Sequence, residues 1–284
     1  MSFANLAAIA NADQQNMRPG KFGTTGSYVP SLFGPYRQVF SPWYMPAHQN
    51  WKVGTSPGTG SGAICDNTTD GGMPYAQPAG GGNLFITKFD LGHQYGTSGA
   101  AGMVLFDRIW HNSGYIPTDG GTKTVNSTAL PARANSGIGC WLFMEIQVSL
   151  GTTTLAPSVT YTNTADAGSR SATLQGPMHA SYNAPYMTHI FSLQQGDLGI
   201  KSIQSVSFTT SGSASGRFGF VIAKPICVIS KVSVHPAIES RDVNAMGALE
   251  IALPPIPAGA CLWPHFEYTN VYGNNYGDLQ LAET

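Results

Sequence analysis

This sequence has little charge. Asp, Glu, Lys and Arg make up 10% of its 284 residues, where about a quarter is usual. Long surface helices need Glu, Lys and Arg on their wet face, so they are excluded as the main building element. Neither sign is in excess: 14 basic residues against 15 acidic give a formal charge of −1. No basic field exists to gather nucleic acid, and direct DNA or RNA binding is not expected. Long apolar runs are missing too. None approaches the roughly 20 residues of a membrane helix, so no membrane partner is expected. The opening "MSFANLAAIANADQQ" lacks a basic n-region and its apolar run is short, unlike a secretory signal; synthesis in the cytoplasm is expected. Cysteine is sparse. Cys65, Cys140, Cys227 and Cys261 are far apart and form no CxxC pair, and without a secretory signal they are expected as free thiols behaving as small buried hydrophobes.

What is present points to strands and turns. Gly (34) and Pro (19) are abundant, and hydrophobic residues reach 42%, enough for a substantial core. Strand-like runs occur at 84–91, 101–110, 123–130, 138–150, 158–163, 187–193, 203–210, 216–226 and 228–236. The clearest is "IGCWLFMEIQVSL" (138–150), with Leu142, Met144, Ile146 and Val148 on one face and Trp141, Phe143, Glu145 and Gln147 on the other. That period of two marks a strand with one core face and one mixed face. Short Gly- and Ser-rich turns between the runs favour antiparallel pairing over βαβ units. The fold class expected is therefore all-β: an antiparallel β-sandwich or jelly-roll-like domain over 84–235, with a long, mostly irregular N-terminal arm (1–83) and a C-terminal extension (236–284) packing on the sandwich or on a neighbouring subunit. A short helix over 1–15 and a helical turn within 240–260 are also expected. The arm is studded with Phe33, Tyr36, Phe40, Trp43, Tyr44 and Trp51, which a plain disordered linker would lack; these are the expected anchors for contact with other subunits.

No catalytic constellation stands out. "FDRIWHNSGY" (106–115) brings together Asp107, His111 and Ser113, but triad members belong on separate elements and no GxSxG elbow accompanies them. The favoured reading is a strand that leaves the core and turns at Asn112–Gly114, with Trp110 anchoring the corner and Asp107 and Arg108 at the rim, pointing to opposite faces and so needing different partners. The seven histidines show no HxH or HExxH spacing, so no metal is expected. "CDNTTDGG" (65–72) lacks the closing Glu of a calcium loop and reads as a turn. Glu145 has no second carboxylate beside it by local spacing, and Arg170 reads as a hairpin-tip charge. No catalytic residue, cofactor or enzymatic activity is expected.

The order of segments carries more than any single motif. "LFDRIWHNSGY" (105–115), "TKTVNSTALPAR" (122–133), "SVTYTNTADAGSRSAT" (158–173) and "LQQGDLGIKSIQSVSFTTSGSASGRFGFVI" (193–222) follow one another in a way that resembles a group of tailed-bacteriophage virion structural proteins, over roughly residues 60–225. These carry a D-R-[IL]-W-H-N/C strand, a "TVNS.AL" strand, a "SYTNxAGTAGR"-like hairpin and a "QAGDxGVRSVQSV" strand. "DAGSRS" in place of an AGTAGR-like turn, the longer aromatic N-terminal segment and the 235–284 extension depart from that pattern. The resemblance implies a virion location and a capsid decoration or cement role. Its implied partners are the major capsid protein and further copies of the chain itself, as a homo-oligomer, possibly a trimer. A tail, collar or fibre-base component, and a carbohydrate-binding or degrading β domain, remain open alternatives.

Overall fold

In a computed structural model the backbone is described for residues 14–19, 37–38, 62–69, 72, 75–78, 82–94, 101–125, 128–148, 150, 155–175, 188–209, 216–232, 238–242, 255–268 and 274–283. The described elements are almost all strands: β1 (Gln14–Pro19), β2 (Arg37–Gln38), β3 (Ala63–Ile64), β4 (Leu84–Gln94), β5 (Ala101–His111), β6 (Gly121–Thr124), β7 (Trp141–Val148), β8 (Ser158–Asn163), β9 (Arg170–Leu174), β10 (Thr188–Ser192), β11 (Ile200–Phe208), β12 (Arg217–Val232), β13 (Ile238–Asp242), β14 (Pro255–Ile256), β15 (Leu262–Tyr268) and β16 (Asn274–Glu283). A 3-10 segment, Ala132–Gly137, leads into β7. The all-β class expected from composition is the class observed. Among the described residues no helix is long and apolar enough to cross a membrane.

The chain divides into two compact units. One comprises Met1–Pro42, Met73–Phe106 and Ile226–Thr284; the other comprises Trp43–Gly72 and Asp107–Pro225. These units cut across the spans 1–83, 84–235 and 236–284 drawn from the sequence. In the first unit the strand order is β13-β4-β16-β1-β2, with β14 also on β4. Leu84, Ile86, Leu105, Ile256, Leu262, Leu279 and Leu281 form its apolar cluster. There Phe106, Trp263 and His265 meet ring to ring at 5.3–5.9 Å, and burial holds the His265 imidazole down to about 4.

The second unit is a curled antiparallel sheet following the path β5-β12-β7-β10-β9-β8-β11-β6, with β3 pairing on β5. The curl encloses one core. Leu142, Met144, Ile146, Val206, Phe218, Phe220 and Ile222 lie in it, each almost fully buried, as the alternation of β7 and β12 anticipates. Val148 departs from that pattern and is 43% exposed. The pairing of β12 with β7 slips between Arg217↔Val148 and Phe218↔Ile146, and such a bulge turns the residues beyond it out of phase. The mixed face of β7 is also drier than expected, since Phe143, Glu145 and Gln147 are all buried.

Other expectations are corrected. Arg217–Ile226 and Val228–Val232, parts of the runs 216–226 and 228–236, belong to one strand, β12, which continues through Pro225. Proline cannot donate to a sheet ladder, and Pro225 lies beyond Ala223↔Trp141, the last pair β12 makes with β7. Of the run 123–130, Lys123 and Thr124 end the strand β6, while Val125 and residues 128–130 lie outside any strand. Gln14 and Gln15 belong to a strand rather than the helix expected over 1–15, and Ser240–Asp242 are strand rather than helical turn. The aromatics Phe33, Tyr36, Phe40, Trp43, Tyr44 and Trp51 lie outside the described residues.

Two glycines let backbones meet where the segment before β7 crosses the start of β11. A Cβ on Gly199 (φ 155°) would stand 2.0 Å from the Gly137 carbonyl oxygen, and one on Gly137 (φ 85°) would stand 2.1 Å from that of Ile200. Backbone cannot give way as a flexible side chain does, so Gly199→Ala is expected to cost about 1–3 kcal/mol, in the range of overpacking. Gly121→Ala, with φ 96° but nothing within 4 Å, is the control for backbone strain alone. Equal melting temperatures for the two variants would refute the steric account.

Candidate functional site: buried charges and braced turns

The charges of "FDRIWHNSGY" sit in the interior, not at a rim. Asp107 and Arg108 are 1% and 0% exposed. Being adjacent on β5 they point to opposite sides, and each has its own partner. Arg108 presents its guanidinium fork to Glu145 of β7, at 2.9 Å from Nη1 to Oε1 and 2.8 Å from Nη2 to Oε2. Its Nη2 also lies 3.1 Å from Nδ1 of His111. Asp107 accepts from Nε of Arg133 at 2.9 Å, and Arg133 donates through Nη2 to the Cys65 carbonyl oxygen. Cys65 is fully buried against this group. Burial outweighs the nearby Arg108 and pushes its thiol up to about 12, leaving it protonated and a poor nucleophile.

The next residues form a corner. Asn112 Nδ2 donates to the Tyr115 hydroxyl at 3.0 Å, while Asn112 Oδ1 accepts from the Phe220 backbone N–H at 2.8 Å. Backbone bonds join Asn112 to Phe220 and Tyr115 to Phe218. Gly114 turns the chain at φ 92°. The corner rests on Gly219, where a Cβ would fall 2.1 Å from the Asn112 carbonyl oxygen. Trp110 is 1% exposed and lies in the core cluster, with its indole against Gly62. Desolvation raises the Tyr115 phenol to about 12.

A second polar joint braces the hairpin between β8 and β9. Asp197 accepts from Arg170 Nε at 2.9 Å and Nη2 at 3.0 Å, from Asn163 Nδ2 at 2.7 Å, and from the Tyr161 hydroxyl. The Arg170 guanidinium, foremost among these donors, holds the carboxyl at about 2. Asn163 Oδ1 accepts from the backbone N–H of Ala165 and Ala167, and Gln204 Oε1 from that of Ser169. These bonds hold Asp166 and Ser169 at positive φ. Arg170 thus stands at the turn end of the hairpin, as expected, with its charge paired to Asp197. In "CDNTTDGG" the Asp66 side chain accepts from the Thr68 backbone at 2.9 Å, which makes the turn the spacing suggested.

The structure therefore joins residues that lie far apart in the chain. Asp107 meets Arg133, Arg108 meets Glu145, and Arg170 meets Asp197, with separations of 26, 37 and 27 residues. No local spacing could have linked them. The one sequence signal was the rarity of charge within apolar, alternating strands, since an ion placed there requires a partner.

No family model matches the chain, and no curated protein matches it. Solved structures of infectious bursal disease virus do align over 96% of this chain. For the Gx strain, identity is 9%, coverage of that chain 81% and the TM-score 0.22. For the Gt strain the values are 8%, 81% and 0.20. For the VP2 subviral particle of the same virus they are 11%, 81% and 0.21. At such TM-scores the alignment carries no argument about fold or function.

Proposed function

We propose that this chain is a non-enzymatic structural protein of a virion that decorates or cements a capsid shell. One observation supports the reading above others. The chemically conspicuous residues of the resembling segments are engaged with one another as joints of the sheet. Arg108 and Glu145 form a bidentate pair, Asp107 takes Arg133, and Asp197 gathers Arg170, Asn163 and Tyr161. Such use of charge serves a rigid, defined shape. The order of these segments, with its resemblance to tailed-phage virion proteins, supplies the virion context.

The surface suits contact with protein. Leu198 is 72% exposed and Ile138 42% exposed. They lie on neighbouring segments joined by the bond from Gly139 N–H to the Leu198 carbonyl. In this reading the major capsid protein and further copies of the chain are the partners, and a trimer is the arrangement to look for.

Quantitative mass spectrometry and imaging of purified particles test the proposal. Hundreds of copies per particle, spread over the shell, are expected. A handful of copies at one vertex would replace decoration by a tail or neck role. A chain missing from purified particles, or one that turns over glycans, would overturn the structural reading.

A further inference from the structure

Three segments of the second unit meet at one end of its sheet. The bond from Gly139 N–H to the Leu198 carbonyl at 2.9 Å and the bridge Ile138↔Gly199 join the segment before β7 to the loop before β11. Asp197 ties that loop to the β8–β9 hairpin through Asn163 and Arg170, and Lys201 pairs with Asp166 in the hairpin turn. Asn135, Ser136, Asp166 and Ser169, in two of these segments, are the non-glycine residues at positive φ among the described ones. Left-handed backbone outside glycine persists where the surroundings fix it. This end is therefore held in one shape, and a surface already ordered gives up little freedom when it binds.

Leu198 stands out from it, 72% exposed, and Ile138 on the joined segment is 42% exposed. One exposed leucine is ordinary. Two large aliphatic residues on paired, fixed backbone call for a partner surface.

The chemistry around them selects the partner. In 132–139, 163–170 and 194–201 every charge has its counterion: Arg170 with Asp197, Lys201 with Asp166, and Arg133 with Asp107. No net charge is left to attract nucleic acid, and these segments contain no aromatic side chain on which a base could stack. Of the charges, Asp166 and Lys201 stand furthest out, 71% and 40% exposed. A surface with an apolar centre, one exposed acid and one exposed base is complementary to its own copy. A two-fold rotation sets each Asp166 against a Lys201 of the other chain.

We propose that this end of the second unit is a self-association surface: two copies related by a two-fold axis bury Leu198 and Ile138 of each against the other and exchange the Asp166–Lys201 pair across the contact. Such a pairing is a property of the chain alone and does not rest on a virion role.

Analytical ultracentrifugation of the full chain, from about 1 μM to about 0.1 mM, tests this. Wild type is expected to pass from monomer to dimer over that range, and Leu198→Asp to weaken the association by about tenfold or more. The charge pair decides the geometry. Asp166→Lys and Lys201→Asp each set like charges across the two-fold contact, so each is expected to dimerise poorly alone. Mixed one to one they restore both pairs, and a heterodimer is expected. If Asp166→Lys does not fold, as read by circular dichroism, Leu198→Asp decides alone. Three results would each overturn the two-fold contact: a wild type that stays monomeric throughout, which would leave the surface to a different protein; association untouched by Leu198→Asp; or a mixture of folded charge variants that associates no better than its parts. None of these depends on copy number in particles, so the virion reading stands or falls separately.

Discussion

Replacing Glu145 by Leu is expected to destabilise the second unit by about 3–5 kcal/mol, the cost of leaving a buried charge without its partner. Arg108 stands on β5 and Glu145 on β7, with β12 between them. The pair therefore bridges two strand spacings, about 10 Å, and only a long side chain with a forked head can cross that span and still bind both carboxylate oxygens. With Arg108 0% exposed and Glu145 2% exposed, water is not there to solvate whichever member is left. Replacing both, as Arg108→Met with Glu145→Leu, removes the charge and its desolvation cost together and should return most of the loss. Urea denaturation of wild type, both single variants and the double variant closes the cycle. A Glu145→Leu variant within about 0.5 kcal/mol of wild type, or single effects that simply add, would mean that the pair does not act as a buried unit.

Phe218→Ala is expected to cost a similar amount, about 3–5 kcal/mol, for a different physical reason. Phe218 is fully buried on β12. Its ring centroid lies 5.6 Å from that of Tyr115, 5.2 Å from Phe208 and 5.9 Å from Phe220. Stacked and edge-on pairs of this kind add to the area term. The surrounding rings belong to β11, β12 and the Asn112–Tyr115 corner, each held by its own hydrogen bonds, so the cavity cannot close cheaply. Val148→Ala, at a 43% exposed position, is the control and should change stability by less than about 0.5 kcal/mol. A loss below about 1 kcal/mol for Phe218→Ala would show that the aromatic cluster is not the keystone of this core.

The sequence by itself determined the class of fold and the phase of its central strands. Scarce charge removed long helices from consideration, and the period of two in 138–150 and 216–222 placed Leu142, Met144, Ile146, Phe218, Phe220 and Ile222 in one core. These are local properties, set by which residues alternate and where turns fall. It also marked Asp107 and Arg108 as needing different partners, because adjacent strand residues point apart. What only the tertiary structure decided is who those partners are. Arg133, Glu145 and Asp197 become neighbours of their counterions only once distant strands are laid beside one another, and nothing in the linear order specifies that adjacency. Strand assignment followed the same rule. β4 pairs with β16, 180 to 199 residues further along the chain, because a strand's partner is chosen by long-range burial rather than by its own alternation. Val148 slipped out of the core for a reason of that kind, a bulge against β12 whose register is a property of two strands and not of one.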